Sequence, residues 1–146
     1  RLIEQRGLTC VRRSQGLPET GTQVWLGDSM GEMAAYYALA DFSFIGGSLL
    51  PLGGQNLIEA AACGCPVLVG PHTFNFTQAT ADAITAGAAK RVLDAEALGR
   101  QADELFSNPA QLVAMRQSAV NFAAAHRGAT AKTVALIERV MGQAGR

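Results

Sequence analysis

A chain of 146 residues is long enough for one domain with its own core, and 49% apolar with 16% charged residues is the balance of a soluble globular protein. Twelve basic and twelve acidic side chains cancel, so no overall field draws the chain to nucleic acid or to an anionic membrane surface. The uncharged stretch Phe42–Leu57 is interrupted by Gly, Ser, Pro, Gln and Asn, which excludes a membrane span.

In chain order, Arg1-Leu-Ile-Glu-Gln-Arg-Gly7 reads as the last turns of a helix stopped by a glycine, with no initiator Met and no signal pattern. A chain that opens inside a helix is expected to be a piece of a longer one. Leu8–Val11 and Val24–Leu26 read as short strands around a Gly- and Pro-containing loop, Gln15–Thr22. A helix over Glu32–Ala40, a strand over Phe42–Ile45, a helix over Asn56–Ala62 and a strand over Pro66–Val69 follow. Phe76–Thr85 reads as a helix closing at Gly87, and Ala88–Val92 as the fifth strand. Three helices end the chain. Leu98, Ala102, Leu105 and Phe106 share a face in the first. Leu112, Met115, Ala119, Phe122 and Ala123 do so in the second, behind an Asn108 cap and Pro109. Val134, Ile137 and Met141 line up in the third.

Short apolar strands alternating with helices predict a parallel α/β sheet covered on both faces. Ligands of such sheets bind beyond the carboxyl ends of the strands, so chemistry is expected at strand-to-helix turns. Two such turns carry the same spacing: Ser29 with Glu32, and Asn56 with Glu59. Each pair is a capping-box pattern, in which the acid reaches back to the cap's backbone N–H. The second pair follows a loop with Gly46, Gly47, Gly53 and Gly54, where a ligand could approach bare backbone. Free N–H groups at a helix start suit a phosphate, and a carboxylate one turn in suits a sugar diol. A nucleotide with its ribose on Glu59 satisfies both. From Gly46 to Phe76 there is no Lys or Arg to meet the charge.

Other chemistry finds less support. Neither the dinucleotide fingerprint nor the P-loop lysine motif occurs. Ser48, His72 and Asp28 could be drawn as a triad, but no nucleophile elbow accompanies them. Cys10, Cys63 and Cys65 are odd in number, with no second pair at metal-ligand spacing, and read as small thiols in a reducing, cytosolic setting. His72 sits just after a strand, either in a binding loop or packed by Phe74 and Phe76. Met30 suits a base or a core gap. His126 reads as a helix-end dipole partner, and Lys90-Arg91 as solvated edge charge. A receiver module would need acids near the first strand, and Leu8–Arg13 has none.

Asp28-Ser-Met-Gly-Glu32, Phe44-Ile-Gly-Gly-Ser-Leu-Leu-Pro-Leu-Gly-Gly-Gln-Asn-Leu-Ile-Glu-Ala-Ala62 and Gly70-Pro-His-Thr-Phe-Asn-Phe76 together resemble the 3-deoxy-D-manno-octulosonic acid (Kdo) transferases of Gram-negative bacteria. The resemblance implies the C-terminal, Rossmann-like half of a GT-B glycosyltransferase, one nucleotide-sugar-binding domain across residues 1–146. The family transfers Kdo from CMP-Kdo to a lipid A precursor at the cytoplasmic face of the inner membrane, with no metal and no cofactor. By motif position, Met30, Gly31 and Glu32 contact the CMP, and Asn56, Leu57, Ile58 and Glu59 hold its ribose and phosphate side. Gly47, Ser48 and His72 are candidate cleft residues. Gln55 stands where the family usually has His, and Ala60 where it often has Pro. The catalytic carboxylate, the membrane anchor, the acceptor-binding domain and an Arg-His-Pro nucleotide motif would all precede Arg1, so no catalytic residue is expected in this chain. A UDP-sugar-binding half of another GT-B enzyme, or a non-catalytic nucleotide-binding module, is the alternative.

Overall fold

A computed structural model of the chain describes residues 1–127 and 129–144. It forms two compact units, Arg1–Ala35 and Tyr36–Arg146. The elements are α1 (Leu2–Gln5), β1 (Cys10–Arg12), β2 (Val24–Leu26), α2 (Met33–Leu39), β3 (Ser43–Phe44), α3 (Leu57–Ala62) and β4 (Val67–Val69). They continue with α4 (Thr77–Thr85), β5 (Ala89–Arg91), α5 (Ala95–Ser107), α6 (Pro109–Ala125) and α7 (Ala129–Ala144). Single 3-10 turns lie at Arg13–Gln15 and Phe74–Phe76. All strand pairing is parallel, as the alternation of strands and helices predicts. The strands pair as two sheets, β1-β2 and β3-β4-β5.

The larger unit holds the core. In β4, the middle strand, Val67, Leu68 and Val69 are all fully buried. Successive side chains point to opposite faces of a strand. Val67 and Val69 therefore join Ile45, Leu57, Ala60, Ala83, Ala119 and Phe122, while Leu68 joins Leu105 and Met115. Both faces are thus covered, which is why β4 has no polar residue. Asn108 caps α6 by accepting the Gln111 N–H at 3.1 Å, and Pro109 opens it. Phe106 differs from expectation: it is exposed, and its ring lies against Phe42 with centroids 5.1 Å apart. The apolar residues Val134, Ile137 and Met141 of α7 are exposed as well.

The smaller unit has no fully buried residue. Its α1 ends as expected, with Gly7 at φ +67° and the Gly7 N–H donating to the Glu4 carbonyl at 2.9 Å. β1 begins two residues later than expected, at Cys10. In place of an apolar core, polar bonds tie the turn after β1 to the turn after β2. Asp28 accepts from the Ser14 N–H at 2.9 Å, from the Ser14 hydroxyl at 2.8 Å and from Arg12 at 3.4 Å. These bonds, the Ser14 ones first, hold the Asp28 carboxyl below its usual value. Glu32 is lowered too, chiefly by the Ser29 hydroxyl and then by Arg13.

A carboxyl whose folded pKa is depressed contributes stability at neutral pH that is lost as pH falls below the unfolded value, about 4. Acid is therefore expected to loosen Arg1–Ala35 before the apolar core of the larger unit. Trp25 lies in β2 and is the single tryptophan of the chain. Its fluorescence should change at higher pH than the helical circular dichroism. Coincident transitions would show that the Asp28 and Glu32 bonds do not set the acid response.

Candidate functional site

The two turns with this spacing lie in different units. In Arg1–Ala35, α2 starts at Met33, so Ser29 is not its N-cap and the Ser29–Glu32 capping box does not form. Glu32 stands just before the helix, and its carbonyl accepts the Ala35 N–H at 3.0 Å. Its carboxylate accepts from the Ser29 hydroxyl and, at 2.8 Å, from Arg13. Gly31 takes φ +81°, and Met30 projects into solvent with 96% of its surface exposed. An exposed thioether beside a bare glycine turn and a buttressed carboxylate could meet a flat polar ring and its hydroxyls.

In Tyr36–Arg146, Asn56 is the N-cap of α3, accepting the Ile58 N–H at 3.1 Å. Its amide donates to Glu59 Oε1 at 3.0 Å. Glu59 is thus held by the cap's side chain rather than by its backbone N–H, and remains exposed. Tyr37 feels this carboxylate: burial first, then the Glu59 charge, raises its phenol above the usual value. Leu57 is a core side chain, 1% exposed, so only its backbone faces the turn, and Ile58 is half-buried.

The glycine loop closes on itself, with the Gly54 N–H donating to the Gly47 carbonyl at 3.2 Å. Gly47, Gly53 and Gly54 all have positive φ. A Cβ at Gly53 would lie 2.4 Å from the Asn75 side chain, so the loop is pressed against the turn after β4. Ser48 joins the two. It is fully buried; its hydroxyl donates to the Ile45 carbonyl and accepts the Gly70 N–H at 2.8 Å. Its own carbonyl accepts the His72 N–H at 2.9 Å. The Ser48 side chain therefore serves the fold and is closed to a ligand.

His72 is half-buried and lines a recess of about 410 Å³ with Pro71, Thr73, Phe74, Thr77 and Arg91. Arg91 is exposed, as the reading of solvated edge charge expects, but it also braces a neighbouring loop. Its guanidinium donates to the Gly70 carbonyl at 2.9 Å and the Pro71 carbonyl at 3.1 Å, and approaches the Thr73 hydroxyl at 3.5 Å. Arg13 in the smaller unit and Arg91 in the larger are cations beside turns whose own motifs contain none. Each sits at the carboxyl end of a parallel strand, the same signal that marks the turns. Among the described residues no group of His, Cys, Asp and Glu gathers as a metal site.

A parallel α/β architecture with glycine turns at its strand ends is that of the Rossmann-like, C-terminal half of GT-B glycosyltransferases. No family model matches the sequence. The chain is 50% identical over 142 residues to the 3-deoxy-D-manno-octulosonic acid transferase of Bordetella pertussis, covering 96% of this chain and 33% of that protein. It is 46% identical over 78 residues to the transferase of the same name from Haemophilus influenzae, covering 53% of this chain and 18% of that protein. Its fold matches the crystal structure of the C-terminal CMP-Kdo binding domain of WaaA from Acinetobacter baumannii. That match has a TM-score of 0.78 at 32% identity, over 83% of this chain and 64% of the other. The chain is a homologue of the Kdo transferases and has the fold of their CMP-Kdo binding domain. It spans a third or less of these two curated relatives.

Ser48→Ala removes the acceptor of one buried N–H and the donor to one buried carbonyl. Leaving such groups unpaired costs about 1–3 kcal/mol each. Urea titration should show a loss in this range with an unchanged slope. A loss under about 0.5 kcal/mol would mean that Ser48 does not hold the two loops together.

Proposed function

We propose that the chain is the donor-binding module of a Kdo transferase, holding CMP-Kdo while the sugar passes to a lipid A precursor in lipopolysaccharide synthesis. The observation that carries this is 50% identity to a Kdo transferase along 96% of the chain, with the fold of a CMP-Kdo binding domain in support. In this assignment the whole enzyme works at the cytoplasmic face of the inner membrane. The acceptor, the catalytic carboxylate and membrane attachment belong to its other half. Met30, Gly31 and Glu32 meet the CMP. Asn56 and the first-turn backbone of Leu57 and Ile58 face the phosphate side, and Glu59 accepts the ribose hydroxyls. Gly47 keeps the approach free of side chains, while His72 lies on the sugar side. A carboxylate already oriented by Asn56 Nδ2 at 3.0 Å loses little side-chain freedom when it takes up a diol.

CMP is expected to bind the 146-residue chain in preference to ADP, without divalent metal, at roughly −5 to −6 kcal/mol. Calorimetry that found strict magnesium dependence, or tighter binding of ADP, would contradict the assignment. So would Kdo transfer by this chain alone.

Glu59→Gln keeps an acceptor for Asn56 but removes the charge and one acceptor oxygen. It should weaken CMP by roughly 1.5–3 kcal/mol and scarcely move the melting temperature. A 2′,3′-dideoxy CMP analogue should show the same loss on the native chain and almost none further on the variant. Equal discrimination against the analogue by both proteins would make Glu59 a helix cap and nothing more.

A further inference from the structure

We propose that Arg91 and the recess it lines form a carboxylate subsite that takes the acid group of the donor's sugar, so that the chain selects CMP-Kdo over CMP itself. This rests on the donor-binding assignment above and adds the group by which the sugar is recognised.

Arg91 is unlike the other arginines that cross between elements. Arg12 pairs with Asp28, Arg13 with Glu32 and Arg116 with Asp41, each guanidinium facing a carboxylate. The hydrogen-bond partners of Arg91 are the Gly70 and Pro71 carbonyls and the Thr73 hydroxyl, all neutral. Neutral acceptors fix the direction of a guanidinium without cancelling its charge. Both short bonds, at 2.9 and 3.1 Å, come from Nη1. A guanidinium has five N–H donors in a planar fork. Nε has no partner among the described residues, and the Nη2 contact to Thr73 is long at 3.5 Å. Donors on the Nε–Nη2 side thus remain for an acceptor outside the protein. A planar carboxylate is the anion that this edge matches in two parallel bonds.

The surroundings agree. Arg91 shares the recess of about 410 Å³ with an imidazole, two hydroxyl side chains, a proline and an aromatic ring, and with no carboxylate. The recess is open, with Pro71, Phe74, Thr77 and Arg91 all exposed, so a charged group can reach it from solvent. Location separates the sugar's acid from the nucleotide's phosphate. An ideal Cβ at Gly54 would stand 3.6 Å from the His72 carbonyl and 3.7 Å from Thr73. Gly54 lies two residues before Asn56, so the recess is one loop beyond the turn assigned to ribose and phosphate. The sugar is the part of the donor that extends past the phosphate, and it is by name an octulosonic acid.

The test is calorimetry of the 146-residue chain with CMP and with CMP-Kdo, for the native protein and for Arg91→Gln. The native chain should prefer CMP-Kdo by about tenfold or more, the weight of a charge-assisted pair. Arg91→Gln should bring the two ligands within about twofold of each other and leave CMP affinity within about twofold of native. Unchanged CMP binding is also the check that the loops still fold. Should Gln unfold the chain, Arg91→Lys carries the same comparison, since it keeps the charge but cannot fork, and the preference should fall severalfold. A variant that weakens both ligands by the same factor would make Arg91 a phosphate contact, or a brace with no contact to the sugar's acid, and overturn the subsite. A variant that leaves the preference intact would overturn it as well. A native chain that binds CMP without preferring CMP-Kdo sinks the subsite alone. One that binds neither sinks the donor-binding assignment and the subsite with it.

Discussion

Ser48 ties the carboxyl end of β3 to the carboxyl end of β4, and the arrangement of the larger unit's loops depends on that tie. One buried side chain bonds both ways, to Ile45 and from Gly70, while its carbonyl takes the His72 N–H. The fit is close because Gly70 is bare: a Cβ there would fall 2.2 Å from the Ser48 carbonyl oxygen. Two loops that parallel topology only brings to the same edge are thereby locked in register. Asn56 and Glu59 on one side, and His72 on the other, follow a contact that is itself fully buried.

Charge reaches the turns of each unit by a different route. The segment from Gly46 to Phe76 contains no Lys or Arg, yet Arg91 from the end of β5 bonds the Gly70 and Pro71 carbonyls. In the smaller unit Arg13, just after β1, pairs instead with the Glu32 carboxylate. A parallel sheet delivers distant residues to one edge because every strand ends there. Arg91 is oriented by the backbone it braces. A lysine on the glycine loop itself would have to be ordered at an entropic cost of up to about 2 kcal/mol for its side chain.

The sequence announced the elements better than their termini. The β2 bounds, the Asn108 cap and the buried face of α6 agree with the expectation, because each rests on a local cause: a short apolar run after a Gly- and Pro-containing loop, an Asn followed by Pro, or helical spacing. The Ser29–Glu32 capping box does not form, since Gly31 adopts φ +81°, outside helical geometry, and moves the helix start to Met33. The motif was legible, but its local meaning was decided by Arg13, whose position depends on the fold. Arg91 is the sharper case. Lys90-Arg91 looks like edge charge because nothing nearby in sequence needs a cation; the partners of Arg91 lie about twenty residues upstream. Ser48 changes meaning for the same reason, since a serine in a glycine loop reads as a candidate cleft residue until Gly70 is placed beside it.

These long-range bonds also explain why the glycine loop holds one shape. Gly47, Gly53 and Gly54 at positive φ give it conformations that other residues enter with strain, and an unfolded glycine has more freedom to lose than any other residue. Left to itself, such a loop would not hold one conformation. It does so here because Asn75 closes over Gly53, the Asn75 N–H reaching the Gly53 carbonyl at 3.3 Å, and because Ser48 anchors the other end. The turn after β4 is in turn held by Ser48 and Arg91. Each loop has bonds of its own, the Gly54 N–H to the Gly47 carbonyl among them, and each is shaped further by the other. A substitution at Gly53 should therefore disturb His72 through Phe74 and Asn75, although it removes no group that a nucleotide would touch.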